Sequence, residues 1–290
     1  MLDSIYCFVD DFCQEFLPHF KQHLIQNGIR KRHRKYTMSI SEVMTIMILF
    51  HQSHYRNFKH FYLDYVCTHL QSAFPKTVSY NRFVELQKSA LIPLCFLMQL
   101  FKGEKTGIYF IDSTVIKVCH IKREKQNKVF KGLAKKSKST MGWFFGFKLH
   151  LVINDKGEIM AFKLTEATTD DRVPVDEMTQ DLLGKLIGDK GYISQELSEL
   201  LLSRNLQLIT RIKKNMKKGL LPLIDKALLR KRAIIETVND QLKNISQIEH
   251  TRHRSVYNFM GNLLCGLIAY CFQPKKPSLW RNHKNELIML

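Results

Sequence analysis

The first hundred residues place apolar side chains at helical spacing. Val43, Ile46, Met47 and Phe50 recur at i, i+3, i+4 and i+7 and line one helical face. Ser39 or Ser41 is placed to cap that helix, with Glu42 in its first turn. Further helical patterns cover residues 58–70 and 80–91, punctuated by Pro75 and Pro93. Short helices with basic residues between them suit a small DNA-reading module of helix-turn-helix type, and equally any small helical bundle.

After Gly103 the period changes. Residues 107–112 are a compact apolar run that 113–119 extends, and Phe145, Phe147, Leu149 and Leu151 alternate as in a half-buried strand. Residues 154–157 have the composition of a hairpin turn, and 159–164 return as a third strand. Beyond them the pattern predicts a helix over 173–183, a strand over 185–189, a helix over 194–204, a strand over 207–212 and one long helix over 225–247. Three strands able to form a meander thus precede strands that alternate with helices. The expectation is an α+β or α/β fold with a mixed, helix-covered sheet behind an all-helical N-terminal domain. The predicted domains are 1–102 and 103–290, the second including a C-terminal packing helix over 257–272.

Charge narrows the partner. Lys plus Arg number 45 against 26 acids, a formal net charge of +19. Residues 30–36 (Arg30, Lys31, Arg32, Arg34 and Lys35), 117–138 and 211–232 hold 23 of those 45 bases in three acid-poor runs. One such run is an ordinary solvated face, whereas three favour a phosphate backbone. The start of the chain carries Asp3, Asp10 and Asp11 where an export signal would be apolar, and no stretch has the length of a membrane span. Seven scattered cysteines without a CxxC pair form neither a disulfide framework nor a zinc site. A reducing cytoplasm fits these features.

Three acids stand where chemistry could sit. Asp112 ends the first strand and Asp189 the fourth, and sites in open sheets form where strand ends meet loops. In the last long helix Ile235, Val238, Leu242 and Ile245 make a core stripe, while Arg232, Glu236, Asn239 and Lys243 make a second stripe beside it. Glu236 therefore lies at the core margin. Each acid alone reads as a cap, a turn former or an i, i+4 partner of Arg232. Together they suit two Mg²⁺ ions (or Mn²⁺), which take oxygen ligands and serve in-line phosphoryl displacement.

The chain resembles a DDE transposase with a ribonuclease-H-like catalytic core, most closely the bacterial insertion sequence 982 family. The resemblance rests on residues 58–62 (FKHFY), 79–83 (SYNRF), 111–114 (IDST), 146–150 (GFKLH), 188–192 (GDKGY) and 253–255 (HRS), and on Arg232, Glu236 and Lys243, which match an R-x3-E-x6-K signature. It implies that Asp112, Asp189 and Glu236 are the catalytic, metal-holding triad. It also implies double-stranded DNA as partner, at element ends and target, a homodimer or larger assembly on DNA, and a bacterial cytoplasmic location. Leu229 stands where the longer signature has Tyr, so no role carries over at that position.

Further DNA contacts are expected from Arg232, Lys243, Lys148, His150, Lys190, Arg30 and Arg32. His150 also reads as a structural histidine, and Trp143 and Phe144 as core in preference to a base-stacking pair. The function implied is binding of terminal inverted repeats with metal-dependent strand cleavage and strand transfer. The alternatives are a nuclease on the same core that never joins strands and a non-catalytic DNA-binding regulator. No P-loop is present.

Overall fold

A computed structural model describes residues 2–28, 36–211, 222–249 and 253–279. Its contacts divide the chain into two compact units, Met1–Phe101 with Leu242–Phe272, and Lys102–Gln241 with Gln273–Leu290. Arg30 and Arg32 lie outside the described residues, as do positions 212–221 of the third basic run.

The first unit is helical. Its early elements are α1 (Leu2–Gln26), α2 (Ile40–Phe50), α3 (Phe58–His60), a π turn (Phe61–Val66), α4 (Cys67–His69) and α5 (Tyr80–Gln99). Ser39 caps α2: its hydroxyl accepts from the Glu42 amide at 3.0 Å, and Glu42 accepts from the Ser39 amide at 2.6 Å. The predicted face of α2 is buried, and so are Met44, Thr45, Ile48 and Leu49, which makes α2 the central helix of the unit.

The second unit holds β1 (Ile108–Cys119), β2 (Lys135–Ser139), β3 (Gly142–Asn154), β4 (Ile159–Glu166), α6 (Val175–Met178), β5 (Gly184–Gly188), α7 (Gln195–Ser203), β6 (Leu206–Thr210), α8 (Leu223–Lys231) and the start of α9 (Ala233–Asn244). β1, β3 and β4 form the antiparallel meander, while β5 and β6 run parallel to β1 on its other side. This mixed order is the α/β sheet expected from the pattern. Gly184, at φ +109°, starts β5 so close to Gly107 that an added Cβ would stand 2.3 Å from the Gly107 carbonyl oxygen. On one sheet face Tyr109, Ile111 and Val152 pack with Val175, Leu182, Leu197 and Leu201. Asp112 pairs with Leu151 and lies on the opposite face.

Several expectations are corrected. The helix over 173–183 is only Val175–Met178: the backbone leaves the helical region at Thr179, and Leu182 then turns into the core. The strand β2 is new, pairing with β3 through Lys138↔Trp143 next to the hairpin's turn. Trp143 is consequently 58% exposed, with the Lys136 ammonium 5.2 Å from its ring centre, whereas Phe144 is buried as expected. The long helix over 225–247 is two helices joined at Arg232, where the Ile235 amide bonds to the Arg232 carbonyl at 3.1 Å. Ile235, Val238 and Leu242 are buried, but Ile245 lies past the end of α9 and is exposed, and Ile248 takes the interior place.

The last helix, α10 (Val256–Cys271), does not group with the sheet. Its apolar face packs on α5 and α2, with Gly261 within 3.1 Å of Met47 for an added Cβ. Residues 103–290 are therefore not a single packed unit. Among the described residues no helix is long and apolar enough to cross a membrane.

Candidate active site

The site is built part-way along β1, just past its parallel pairing with β5; the expected strand end at Asp112 is corrected, since β1 stays paired with β3 beyond it. Asp112 leaves the apolar run Tyr109, Phe110 and Ile111, so its backbone is pinned while its carboxylate emerges toward α8 and α9. Its side chain is 22% exposed. Asn239 of α9 donates from Nδ2 to Asp112 Oδ2 at 3.1 Å, and Arg232 brings a guanidinium nitrogen to 3.9 Å of Oδ1. α8 is anchored nearby by the Lys185–Asp225 ion pair, in which Asp225 is buried.

Asp189 follows β5 directly. Gly188 brings the backbone against Tyr192, whose ring would lie 3.1 Å from an added Cβ. Asp189 caps the short 3-10 turn Lys190–Tyr192 by accepting from the Lys190 amide. Both Asp189 and Lys190 are exposed. Glu236 lies one turn into α9, 55% exposed, and accepts from Arg232.

Electrostatics ties these three acids together. Burial pushes the Asp112 carboxyl up to about 6; Arg232 and the Ser113 amide oppose the rise, while the charges of Glu236 and Asp189 add to it. Asp112 thus feels both other carboxylates. Tyr192 is buried beside them, and its phenol is pushed up by desolvation and then by the charges of Asp112, Asp171 and Asp189. Among the described residues no group of three or more His, Cys, Asp or Glu is drawn together closely enough to hold a metal ion. Arg232, bonded to Glu236 and close to Asp112, supplies the positive charge between them. The donors nevertheless fit a hard divalent cation. They are oxygens only, the ligand type such an ion takes, and the buried Asp112 carboxyl also feels the charges of Glu236 and Asp189.

The remaining predicted DNA contacts fall elsewhere. Lys148 pairs with Val115 and His150 with Ser113, so both lie on the sheet face opposite Asp112. Lys148 donates to Asp171 at 3.0 Å and to the Thr169 carbonyl at 2.9 Å. His150 is 0% exposed, its Nε2 lies 2.8 Å from the Thr165 hydroxyl, and burial lowers its pKa to about 4. A ring with no solvent access offers DNA no surface, and this corrects the expected contact at His150. Lys243 lies two turns beyond Glu236 on α9, with Glu249 at 3.7 Å. Asn239 is the residue given no role from sequence that the structure brings to Asp112. Its signal was its place in the Arg232–Glu236–Lys243 stripe.

Residues 102–256 match the family model for a transposase DDE domain. Among solved structures the chain is similar to a piggyBac transposase synaptic complex with hairpin DNA, at TM-score 0.44 and 9% identity over 83% of this chain and 68% of that one. It is also similar to the catalytic domain of Mos1 mariner transposase, at TM-score 0.24 and 11% identity over 67% of this chain and 94% of that one. Overlaps this loose add no argument to the family match. No curated protein matches the chain by sequence. The matched segment is more than half of the chain and takes in Asp112, Asp189 and Glu236: this protein belongs to the transposase DDE domain family and is an enzyme of that kind.

Proposed function

We propose that the protein is the transposase of a bacterial insertion sequence, of the 982 type, acting in the cytoplasm on double-stranded DNA. It binds the terminal inverted repeats of its own element, hydrolyses a phosphodiester to expose a 3′-OH, and directs that 3′-OH at a target strand. The observation that carries this reading is the matched transposase DDE domain, which takes in Asp112, Asp189 and Glu236, with Arg232 and Asn239 meeting Asp112.

Asp112, Asp189 and Glu236 are the residues that would hold two Mg²⁺ or Mn²⁺ ions. Bound there, such ions activate the attacking oxygen and offset charge at the scissile phosphate. The chain's own contribution is positioning. β1 and Asn239 fix the Asp112 carboxylate, and the turn capped by Asp189 fixes the second acid. Arg232 and Lys190 supply positive charge beside the acids for the phosphate backbone, with Lys243, Lys148, Arg30 and Arg32 as further contacts. The helical segment 1–102 is assigned to end recognition and the sheet-bearing unit, with the start of α9, to catalysis, in a homodimer or larger assembly on paired ends.

The test is a labelled element-end duplex incubated with the full chain and a target plasmid, with and without Mg²⁺. Products joined to the plasmid are expected only with the metal. Cleavage without any joining identifies a nuclease and overturns the transfer step. Binding with neither cleavage nor joining overturns the enzymatic reading.

A further inference from the structure

The helical unit contains a cavity of about 560 Å³ whose lining includes none of Asp112, Asp189 and Glu236. Three segments that carry the family resemblance border it, although they lie up to two hundred positions apart. Phe58 and Lys59 come from the α3 end, Tyr80 from the start of α5, and Arg254 from the approach to α10. The fourth wall is α10 itself, through Asn258 and Asn262.

That wall is unusual chemistry for its helix. α10 is otherwise dominated by buried apolar residues from Phe259 to Tyr270. Asn258 and Asn262 are one turn apart and share a stripe. Asn258 Oδ1 and Asn262 Nδ2 are both buried without a hydrogen-bond partner. One offers an acceptor and the other a donor, and each carries an unmet desolvation cost that a ligand bonding to both removes. Aromatic rings share the same cavity. Phe58 and Tyr80 border the cavity, and the Lys59 ammonium lies 5.9 Å from the Tyr80 ring centre. Arg254 is close enough for its charge to reach the Tyr80 phenol.

A neighbouring donor and acceptor read the edge of a nucleobase, aromatic rings stack its face, and exposed cations hold the phosphates on either side. The volume lies in the range of pockets that enclose a nucleotide-sized ligand. We propose that this cavity receives a single unpaired nucleotide of a DNA strand, with the base stacked on Tyr80 or Phe58, its edge bonded to Asn258 and Asn262, and its flanking phosphates against Lys59 and Arg254. This rests on the reading of the chain as a DNA-binding enzyme and adds a second, non-catalytic contact. Extrusion of one base into such a pocket is cheapest where the duplex is already unpaired.

The experiment is fluorescence anisotropy of the full chain with three labelled duplexes of one sequence: fully paired, with one bulged nucleotide, and with the bulged position abasic. The bulged nucleotide should bind about tenfold more tightly than the abasic bulge, the scale of one base–aromatic stack. Tyr80→Ala and Asn262→Leu should each remove that preference, and Tyr80→Phe should keep it. Unchanged binding of the fully paired duplex shows that each variant is folded, and Asn258→Leu supplies a second amide test. Equal binding of the nucleotide and abasic bulges overturns the pocket while leaving the DNA reading intact, as does a preference that survives both Tyr80→Ala and Asn262→Leu. Failure to bind any of the three duplexes contradicts the DNA-binding reading itself, and the pocket with it.

Discussion

Asn239 donates a hydrogen bond from Nδ2 to Asp112 Oδ2 at 3.1 Å, joining α9 to β1 across 127 positions of sequence. The bond fixes one carboxylate oxygen and leaves Oδ1 facing Arg232 at 3.9 Å. A supporting partner of this kind orients a metal-holding group without touching the substrate. Asn239→Ala should therefore weaken Mg²⁺ use by roughly tenfold to a hundredfold while leaving DNA affinity unchanged. A Mg²⁺ titration of cleavage beside a binding titration checks this. A loss that excess Mg²⁺ does not relieve would show that Asn239 acts otherwise.

The Asp112 carboxyl gives a pH signature. Its pKa is about 6 in the fold against 3.8 for the ordinary group, so the folded metal-free chain binds the extra proton in that window. Stability carried by this group is present below 3.8 and is lost as pH rises through about 6. His150 acts in the opposite sense, since its lowered pKa makes its contribution fall as pH drops from 6.5 through about 4. Denaturation of the chain and of Asp112→Asn at several pH values isolates the first effect as a difference. That difference should shrink in saturating Mg²⁺, and a difference indifferent to Mg²⁺ would separate Asp112 from any metal.

How much of this was legible in sequence differs from residue to residue. Asp112 and Asp189 stand out because each follows an apolar run, a local pattern; β5 ends before Asp189 as expected, whereas β1 continues through Asp112 to Cys119 because its ladder with β3 runs on past that point. Glu236 was readable as the margin of a buried stripe, and Ile235, Val238 and Leu242 are indeed buried. The break at Arg232 was not legible, since residues 225–247 keep a helical period through it and only the turn geometry ends α8. Nor was the placement of α10, whose apolar residues pack equally well on a sheet or a bundle until the partners α2 and α5 are known. His150 alternates correctly on its strand, but which face of β3 meets Asp112 depends on register with β1.

The buried face of β3 makes its own prediction. His150→Ala removes the bond to Thr165 and leaves space in a closed interior, so stability should fall by about 1–3 kcal/mol. DNA affinity of the folded variant should match that of the parent. Urea denaturation and a binding titration measure the two separately. Weakened DNA binding at unchanged stability would restore a DNA-contact role to His150.

Charge sets the salt response. With 45 basic residues against 26 acids and a polyanionic partner, affinity for DNA should fall steeply as salt rises. Each phosphate contact adds a slope of about −0.9 in log K against log salt. Replacing Lys190 with Ala should flatten that slope by about one contact for all sequences alike. An unchanged slope would remove Lys190 from the DNA interface.

The most direct measurement of the account is cleavage of a labelled duplex bearing the element's own end by the parent chain and by Asp112→Asn, Asp189→Asn and Glu236→Gln, each with and without Mg²⁺ and each with its DNA affinity measured in parallel. The three acids acting as one site predict Mg²⁺-dependent cutting by the parent only. Every single variant should be inactive yet still bind, and any double variant should be little worse than a single one. Robust Mg²⁺-dependent cutting by any one of the three variants would contradict a single site built from Asp112, Asp189 and Glu236.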